Sequence, residues 1–263
     1  MSSNKPAIII IAGAFTTPES YGKLTSGLQS HGYEVHVPRL PTNSEARPPN
    51  AGLGEDTDFI RSYVEGLVTA GHRVVAIGHS YGGQVMTNAL YGLGFETRSS
   101  QGLEGGVSNL VYMTGFALPA GKSTFEKLAE FGTVVDDVPL VFDMAEDQSM
   151  VLKDPNAFLG LREPGIEEAE IEAYIQTSSR WNGKAMTQPL EKEAWREIPV
   201  AYIHTTKDAA IPLAAQQSMV EALEMAGRKV QTFTLETAHC PHFTATDGVV
   251  GAINKIISSD GSA

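Results

Sequence analysis

The stretch VVAIGHSYGGQVMTNAL, residues 74–90, decides how this chain is read. Val74–Ile77 is a short apolar, β-branched run, the composition of a strand buried on both faces. A helix is expected after it, and between the two stands Gly78-His79-Ser80-Tyr81-Gly82, a G-x-S-x-G pattern. The spacing has a physical cause. A side chain presented on so sharp a strand-to-helix turn sits in strained backbone, and side chains two residues to either side would strike the neighbouring strand and helix. Glycine at both places removes that collision. The hydroxyl of Ser80 is then held clear of the sheet, with the N-terminal amides of the helix aimed at any negative charge that develops beside it. The pattern alone is weak, since an idle serine in a glycine-rich turn reads the same way. The strand before it and the helix after it give it weight.

Working outward, similar apolar runs occur at Ala7–Ile11, Glu34–Val37, Asn109–Met113, Val200–His204 and Val230–Leu235. Helical patterns fall between most of them. Phe59, Ile60, Tyr63, Val64, Leu67 and Val68 repeat at helical spacing up to Gly71. Met219, Ala222 and Leu223 mark a second helix, and Val249, Val250, Ile253, Ile256 and Ile257 a C-terminal one. An earlier helix is expected to start near Pro18, with Thr16 and Glu19 at capping-box spacing. Such alternation predicts an α/β fold with a mostly parallel central sheet of about six strands flanked by helices.

Between the fourth and fifth strands lie about eighty residues, where a crossover needs about a dozen. The expected organisation is therefore a core of residues 1–116 and 197–263 with a helical lid inserted at 117–196. Residues 118–195 hold 15 acidic and 7 basic residues, so −8 of the chain's formal −12 lies in the insertion. It is also rich in aromatic residues and methionine. The bland expectation is a helical subdomain with solvated faces and a small core of its own. The sharper one is a lid whose apolar underside covers a pocket, and both can hold together.

A serine hydroxyl becomes a nucleophile when an imidazole, oriented by a carboxylate, takes its proton. After a G-x-S-x-G turn the order Ser, acid, His is expected, each partner in a loop at the C-terminal end of a strand. Two loops qualify. Lys207-Asp208-Ala209 follows the fifth strand, and Glu236-Thr237-Ala238-His239-Cys240-Pro241-His242 follows the sixth. Asp208 also suits the N-cap of the helix that Pro212 opens. No acid directly follows the fourth strand, in MTGFALPAG. An oxyanion hole would draw one backbone N–H from Tyr81 and another from the loop after the first strand, Ala12-Gly13-Ala14-Phe15, where Gly13 permits close approach.

These features resemble the α/β-hydrolase superfamily over nearly the whole chain. More narrowly, they resemble its small-lidded branch of plant methylesterases, hydroxynitrile lyases and bacterial and fungal alpha/beta hydrolase proteins. The resemblance implies an α/β-hydrolase fold with Ser80, Asp208 and His239 as the catalytic residues, since AHCPHF matches the branch's His-x-Pro segment at His239 and Pro241. It leaves His242 as a pocket or loop residue. Members of the branch carry a His-Gly loop after the first strand; here Ala12 replaces that histidine, and by position Ala14 is the expected donor beside Tyr81. Hydroxynitrile lyases have a lysine where this chain has Cys240, which argues against cyanogenic lyase chemistry. Relatives with an aspartate nucleophile are excluded by Ser80.

The implied activity is hydrolysis of a small hydrophobic ester or lactone through an acyl-enzyme. Carbon–carbon bond hydrolysis, lyase or cofactor-free oxygenase chemistry on the same site, or a hydrolase-like receptor for a small ligand, are the alternatives. Phe15, Phe116, Trp181, Ile211 and His242, with Tyr81, are the expected pocket lining. Loop 39–54 would either wall the pocket or cross the surface. No cofactor is expected. Nor is a metal: a zinc site wants three or four converging ligands, and His239-x-x-His242 offers two. The acidic balance, with a sequence pI of about 5.0, argues against nucleic-acid partners and against anionic membrane surfaces. A single cysteine allows no intrachain disulfide. Ala7–Ala12 is too short for a membrane span, and a cytoplasmic location is expected. The oligomeric state is left open, a homodimer being compatible with a lid so rich in aromatics.

Overall fold

The computed structural model describes residues 5–132 and 138–260. Residues 1–4 and 261–263 of the expected core and 133–137 of the expected insertion lie outside it. Among the described residues nine strands occur in chain order: β1 (Ala7–Ile11), β2 (Val35–His36), β3 (Arg73–His79), β4 (Gly106–Met113), β5 (Phe142–Met144), β6 (Ser149–Leu152), β7 (Trp181–Asn182), β8 (Val200–Thr205) and β9 (Val230–Leu235). Six of them form one sheet in the order β2-β1-β3-β4-β8-β9, with every pairing parallel. They are the six runs read from the sequence. β2 contracts to two residues, and β9 is only half-buried, because each is an edge strand with one neighbour.

Alternation along the strands divides the core in two. Ile9, Ile11, Val74, Ala76, Leu110 and Tyr112 face one side, with the helices α2 (Leu53–Thr69) and α3 (Tyr81–Ala89) and the helix Leu213–Met225. Ile8, Ile10, Val75, Ile77, Val111 and Met113 face the other, against α1 (Gly22–Ser30) and the C-terminal helix Thr246–Asp260. This period of two is what a sheet covered by helices on both faces requires.

Two local expectations need correction. In α2 the buried stripe is Ile60, Val64 and Val68, while Phe59 and Tyr63 are 37% and 36% exposed. One apolar stripe is enough to seat a helix on a sheet, and these two rings fall on its flank. Near Pro18 the turn is a short 3₁₀ helix, Pro18–Tyr21, capped by Thr17 rather than Thr16. The Thr17 N–H donates to Ser20 Oγ at 3.1 Å, and the Thr16 hydroxyl is committed instead to Gly13 O at 2.8 Å.

The insertion holds short helices and, in addition, a three-stranded antiparallel sheet, β5-β6-β7, which its sequence did not announce. Among the described residues it has no separate core. Phe142, Met150, Leu161, Ile171 and Trp181 join the same apolar cluster as β1, β3 and α3. Phe15, from the loop after β1, stacks on Phe142 with centroids 5.4 Å apart and meets the edge of Trp181 at the same distance. These apolar residues of the insertion are buried against the large sheet, while Phe131, Leu140 and Met144 stay exposed. Among the described residues, no helix is long and apolar enough to cross a membrane.

Candidate active site

β3 ends at His79 and α3 begins at Tyr81, so a single residue makes the turn. Ser80 takes φ 52° and ψ −124°, a conformation costly for any residue with a side chain. Its carbonyl accepts from Gly83 N–H at 3.0 Å and Phe116 N–H at 3.1 Å, which holds the turn from both sides. A Cβ on Gly78 would come within 2.8 Å of Gly83 Cα, and one on Gly82 within 2.6 Å of Ala12 O. Both glycines are therefore required by backbone crowding, as their spacing predicts.

The two later loops meet the serine. His239 Nε2 lies 3.0 Å from Ser80 Oγ, and His239 Nδ1 lies 2.8 Å from Asp208 Oδ2. The Asp208 carboxylate is buried and fully occupied. Its Oδ2 also accepts from the hydroxyls of Thr114 (2.6 Å) and Thr205 (3.0 Å), and Oδ1 from the N–H groups of Ala210 and Ile211, both at 2.8 Å. Burial by itself would raise its pKa. The charge and hydrogen bond of His239, the Ile211 amide and the Thr114 hydroxyl outweigh burial and hold it below the ordinary aspartate value. The carboxylate forms a turn with the amides of Ala210 and Ile211 but does not cap the helix that follows, whose N-cap is Pro212; its side chain is committed to the pairing with His239 instead. Thr114, Thr205 and Gln216, which cradle it, were not singled out in the sequence. The only available signal was the absence of an acid after β4, where Thr114 sits.

The loop after β1 lies against this turn. A Cβ on Gly13 would stand 3.0 Å from His79 Nδ1 and 3.2 Å from Ser80 Cβ. Ala14 and Tyr81 flank Ser80 at the floor of a cavity of about 580 Å³, counting its open mouth. Of the expected lining, Phe15, Phe116, Trp181 and Ile211 are there. The insertion adds Leu128, Phe142, Phe158, Leu159 and Met186 to the lining. Among the described residues, no Asp, Glu, Lys or Arg lines it. Loop 39–54 buttresses the wall without lining it: Asn43 Nδ2 donates to Gly13 O at 3.3 Å, and Asn43 Oδ1 accepts from Ser179 Oγ.

His242 does not line the cavity. The short helix Pro241–Thr244 carries it to Tyr21, on which it stacks at 4.4 Å, and its Nε2 lies 2.9 Å from Tyr174 Oη. It is fully buried, and burial pushes its pKa well below the ordinary histidine value. His79, Cys240 and His242 bring three ligand atoms within 4.8 Å of one another, one more residue than the sequence spacing offered. The donors fit a metal poorly. Both ring nitrogens of His79 are held in hydrogen bonds of 2.8 Å, and burial pushes the Cys240 thiol up to about 12.

A family model described as the alpha/beta hydrolase family matches residues 8–252. The chain belongs to that family. Among relatives of this alpha/beta hydrolase, "Alpha/beta hydrolase nvfD" of Aspergillus novofumigatus is 31% identical over 217 residues, covering 82% of this chain and 84% of that protein. "Pyrethroid hydrolase" of Sphingobium wenxiniae is 27% identical over 255 residues, covering 94% and 85%. The solved structure of polyneuridine aldehyde esterase shares the fold with a TM-score of 0.75, at 19% identity over 96% of this chain and 99% of that one. Family membership supports a hydrolytic enzyme.

Proposed function

We propose that this alpha/beta hydrolase is a serine hydrolase that cleaves esters or lactones of small hydrophobic substrates. One observation carries the reading: His239 Nε2 stands 3.0 Å from the hydroxyl of a serine held at positive φ, while Asp208 holds the other ring nitrogen at 2.8 Å. Because Asp208 accepts at Nδ1, the proton of neutral His239 is fixed there and Nε2 is free to accept from Ser80. Ser80 Oγ attacks the substrate carbonyl as its proton passes to Nε2. The oxyanion forms beside the backbone N–H groups of Ala14 and Tyr81, the second at the N-terminus of α3. His239 then gives the proton to the leaving alkoxide, and water activated by the same imidazole releases the acid. In a lactone the leaving hydroxyl stays attached to the acyl group. An aromatic, uncharged lining favours a neutral acyl or aryl substrate over a sugar or a polyanion.

The test is labelling by a fluorophosphonate, read by intact mass on wild type and Ser80→Ala. A single adduct on wild type alone is the expected result, followed by turnover of neutral aryl or alkyl esters. Wild type that stays folded and unlabelled would overturn the reading.

A further inference from the structure

The last side chain of β3, His79, next to the nucleophile, is wholly buried and takes no part in the steps above, yet both of its nitrogens are engaged. Nε2 lies 2.8 Å from the main-chain oxygen of His239, and Nδ1 lies 2.8 Å from Tyr21 Oη. Tyr21 Oη in turn lies 2.8 Å from the N–H of Gly13. Every direction in this chain follows from the chemistry of its ends. A carbonyl oxygen only accepts, so the Nε2 of His79 carries a hydrogen and donates it to His239 O. Burial, with His239 nearby, takes the His79 pKa down to about 3, so the ring is neutral and Nδ1 is an acceptor. Tyr21 must then donate its hydroxyl proton to Nδ1. A backbone N–H only donates, so Gly13 donates to the Tyr21 oxygen. The nearby Thr16 hydroxyl does not compete, its proton going to Gly13 O at 2.8 Å.

We infer that Tyr21 and His79 are positioning residues that lock the oxyanion loop and the base loop into one register around Ser80. The inference rests on the serine-hydrolase reading. The chain Gly13 N–H, Tyr21 O–H, His79 imidazole, His239 C=O joins the residue next to the proposed donor Ala14 to the backbone of the proposed base. His79 occupies the position adjacent to the nucleophile, so all three parts of the site hang on one rigid ring. The ring is clamped in place. Tyr21 stacks on His242, and His242 meets the edge of His79 with centroids 4.6 Å apart. This gives His242 a structural task where a pocket role was expected. Loss of the Tyr21 hydroxyl would leave Gly13 N–H without its acceptor and His79 Nδ1 without its donor. The neutral ring could then take the other tautomer and release His239 O. Displacements of about 1 Å at such a site cost about a hundredfold in rate.

The experiment compares wild type with Tyr21→Phe, which deletes one oxygen and keeps the ring that His242 stacks on. Acylation by a fluorophosphonate is timed, and kcat and KM are measured on a p-nitrophenyl ester, with thermal unfolding recorded beside them. The expected result is a fall in acylation rate and kcat of about 10- to 100-fold, with KM within about threefold of wild type. Equal acylation rates overturn the inference, as does a rise in KM at unchanged kcat, which would mark a binding effect. A wild type that is not labelled at all overturns the hydrolase reading first, and the inference with it. Should Tyr21→Phe not fold, His79→Gln is read by the same criteria. Its amide still reaches His239 O but lacks the link to Tyr21.

Discussion

The phenol of Tyr81, the residue after the nucleophile, donates its hydroxyl proton to Asp56 Oδ2 at 2.9 Å beneath the wall of the cavity. Thr42 completes the cradle, offering its N–H to Oδ1 at 2.9 Å and its hydroxyl to Oδ2 at 2.6 Å. No cation is among these hydrogen-bond partners. Burial therefore dominates and raises the Asp56 pKa to about 6, against the downward pull of Thr42 and Tyr81.

A carboxyl whose folded pKa is raised stabilises the fold fully below its unfolded value and loses that contribution as pH rises through the folded one. For Asp56 the window runs from the ordinary aspartate value to about 6. Asp56→Asn, which cannot ionise, should gain stability relative to wild type across that window, by about 2–3 kcal/mol in all. Urea unfolding of both proteins at pH 4.5 and 7.5 measures it. A difference that does not change with pH would mean that Asp56 ionises as freely folded as unfolded.

Strain at Ser80 is separable from its chemistry. At φ 52° and ψ −124° a side chain costs on the order of 1–3 kcal/mol, which glycine does not incur. Ser80→Gly and Ser80→Ala both delete the hydroxyl and should both be inactive. Ser80→Gly should nevertheless unfold about 1 kcal/mol later than Ser80→Ala, after the greater chain entropy of glycine is subtracted. Equal stabilities would show that the turn relaxes around an alanine at no cost.

Asp208→Asn keeps the size of the side chain but no longer offers His239 Nδ1 a charged acceptor in a site built for one. The imidazole then favours the tautomer that carries its hydrogen on Nε2, facing Ser80. The expected loss is about 10⁴ in kcat with little change in KM, read from steady-state kinetics on an activated ester. Retention of more than about a tenth of wild-type kcat would remove Asp208 from the proposed mechanism.

Much of the site was legible because its parts are local. The crowding that demands Gly78 and Gly82 acts within a few residues of Ser80, so it leaves a fixed spacing. Asp208 and His239 each occupy the first polar loop after an apolar strand, which runs of β-branched residues delimit. The error at His242 has a local cause too. Its sequence distance from His239 is three residues, but the helix starting at Pro241 turns it toward Tyr21, and no spacing rule records which way such a turn faces. Likewise, the aromatics of the insertion were visible in the sequence, but which of them line the cavity was not.

By itself, then, the sequence determined the six parallel strands, the strained turn and the order of serine, acid and histidine, because each depends on neighbours along the chain. Only the tertiary structure decided what surrounds them. Thr114 reaches Asp208 across 94 positions, and Gly13 is joined to His239 only through Tyr21 and His79. Asp56 meets Tyr81 from another helix. These contacts are single hydrogen bonds, most of them between residues far apart in sequence, with no period and no motif to carry them. They exist because packing the helices on the sheet brings the ends of the strands to one edge, where buried polar groups must find partners.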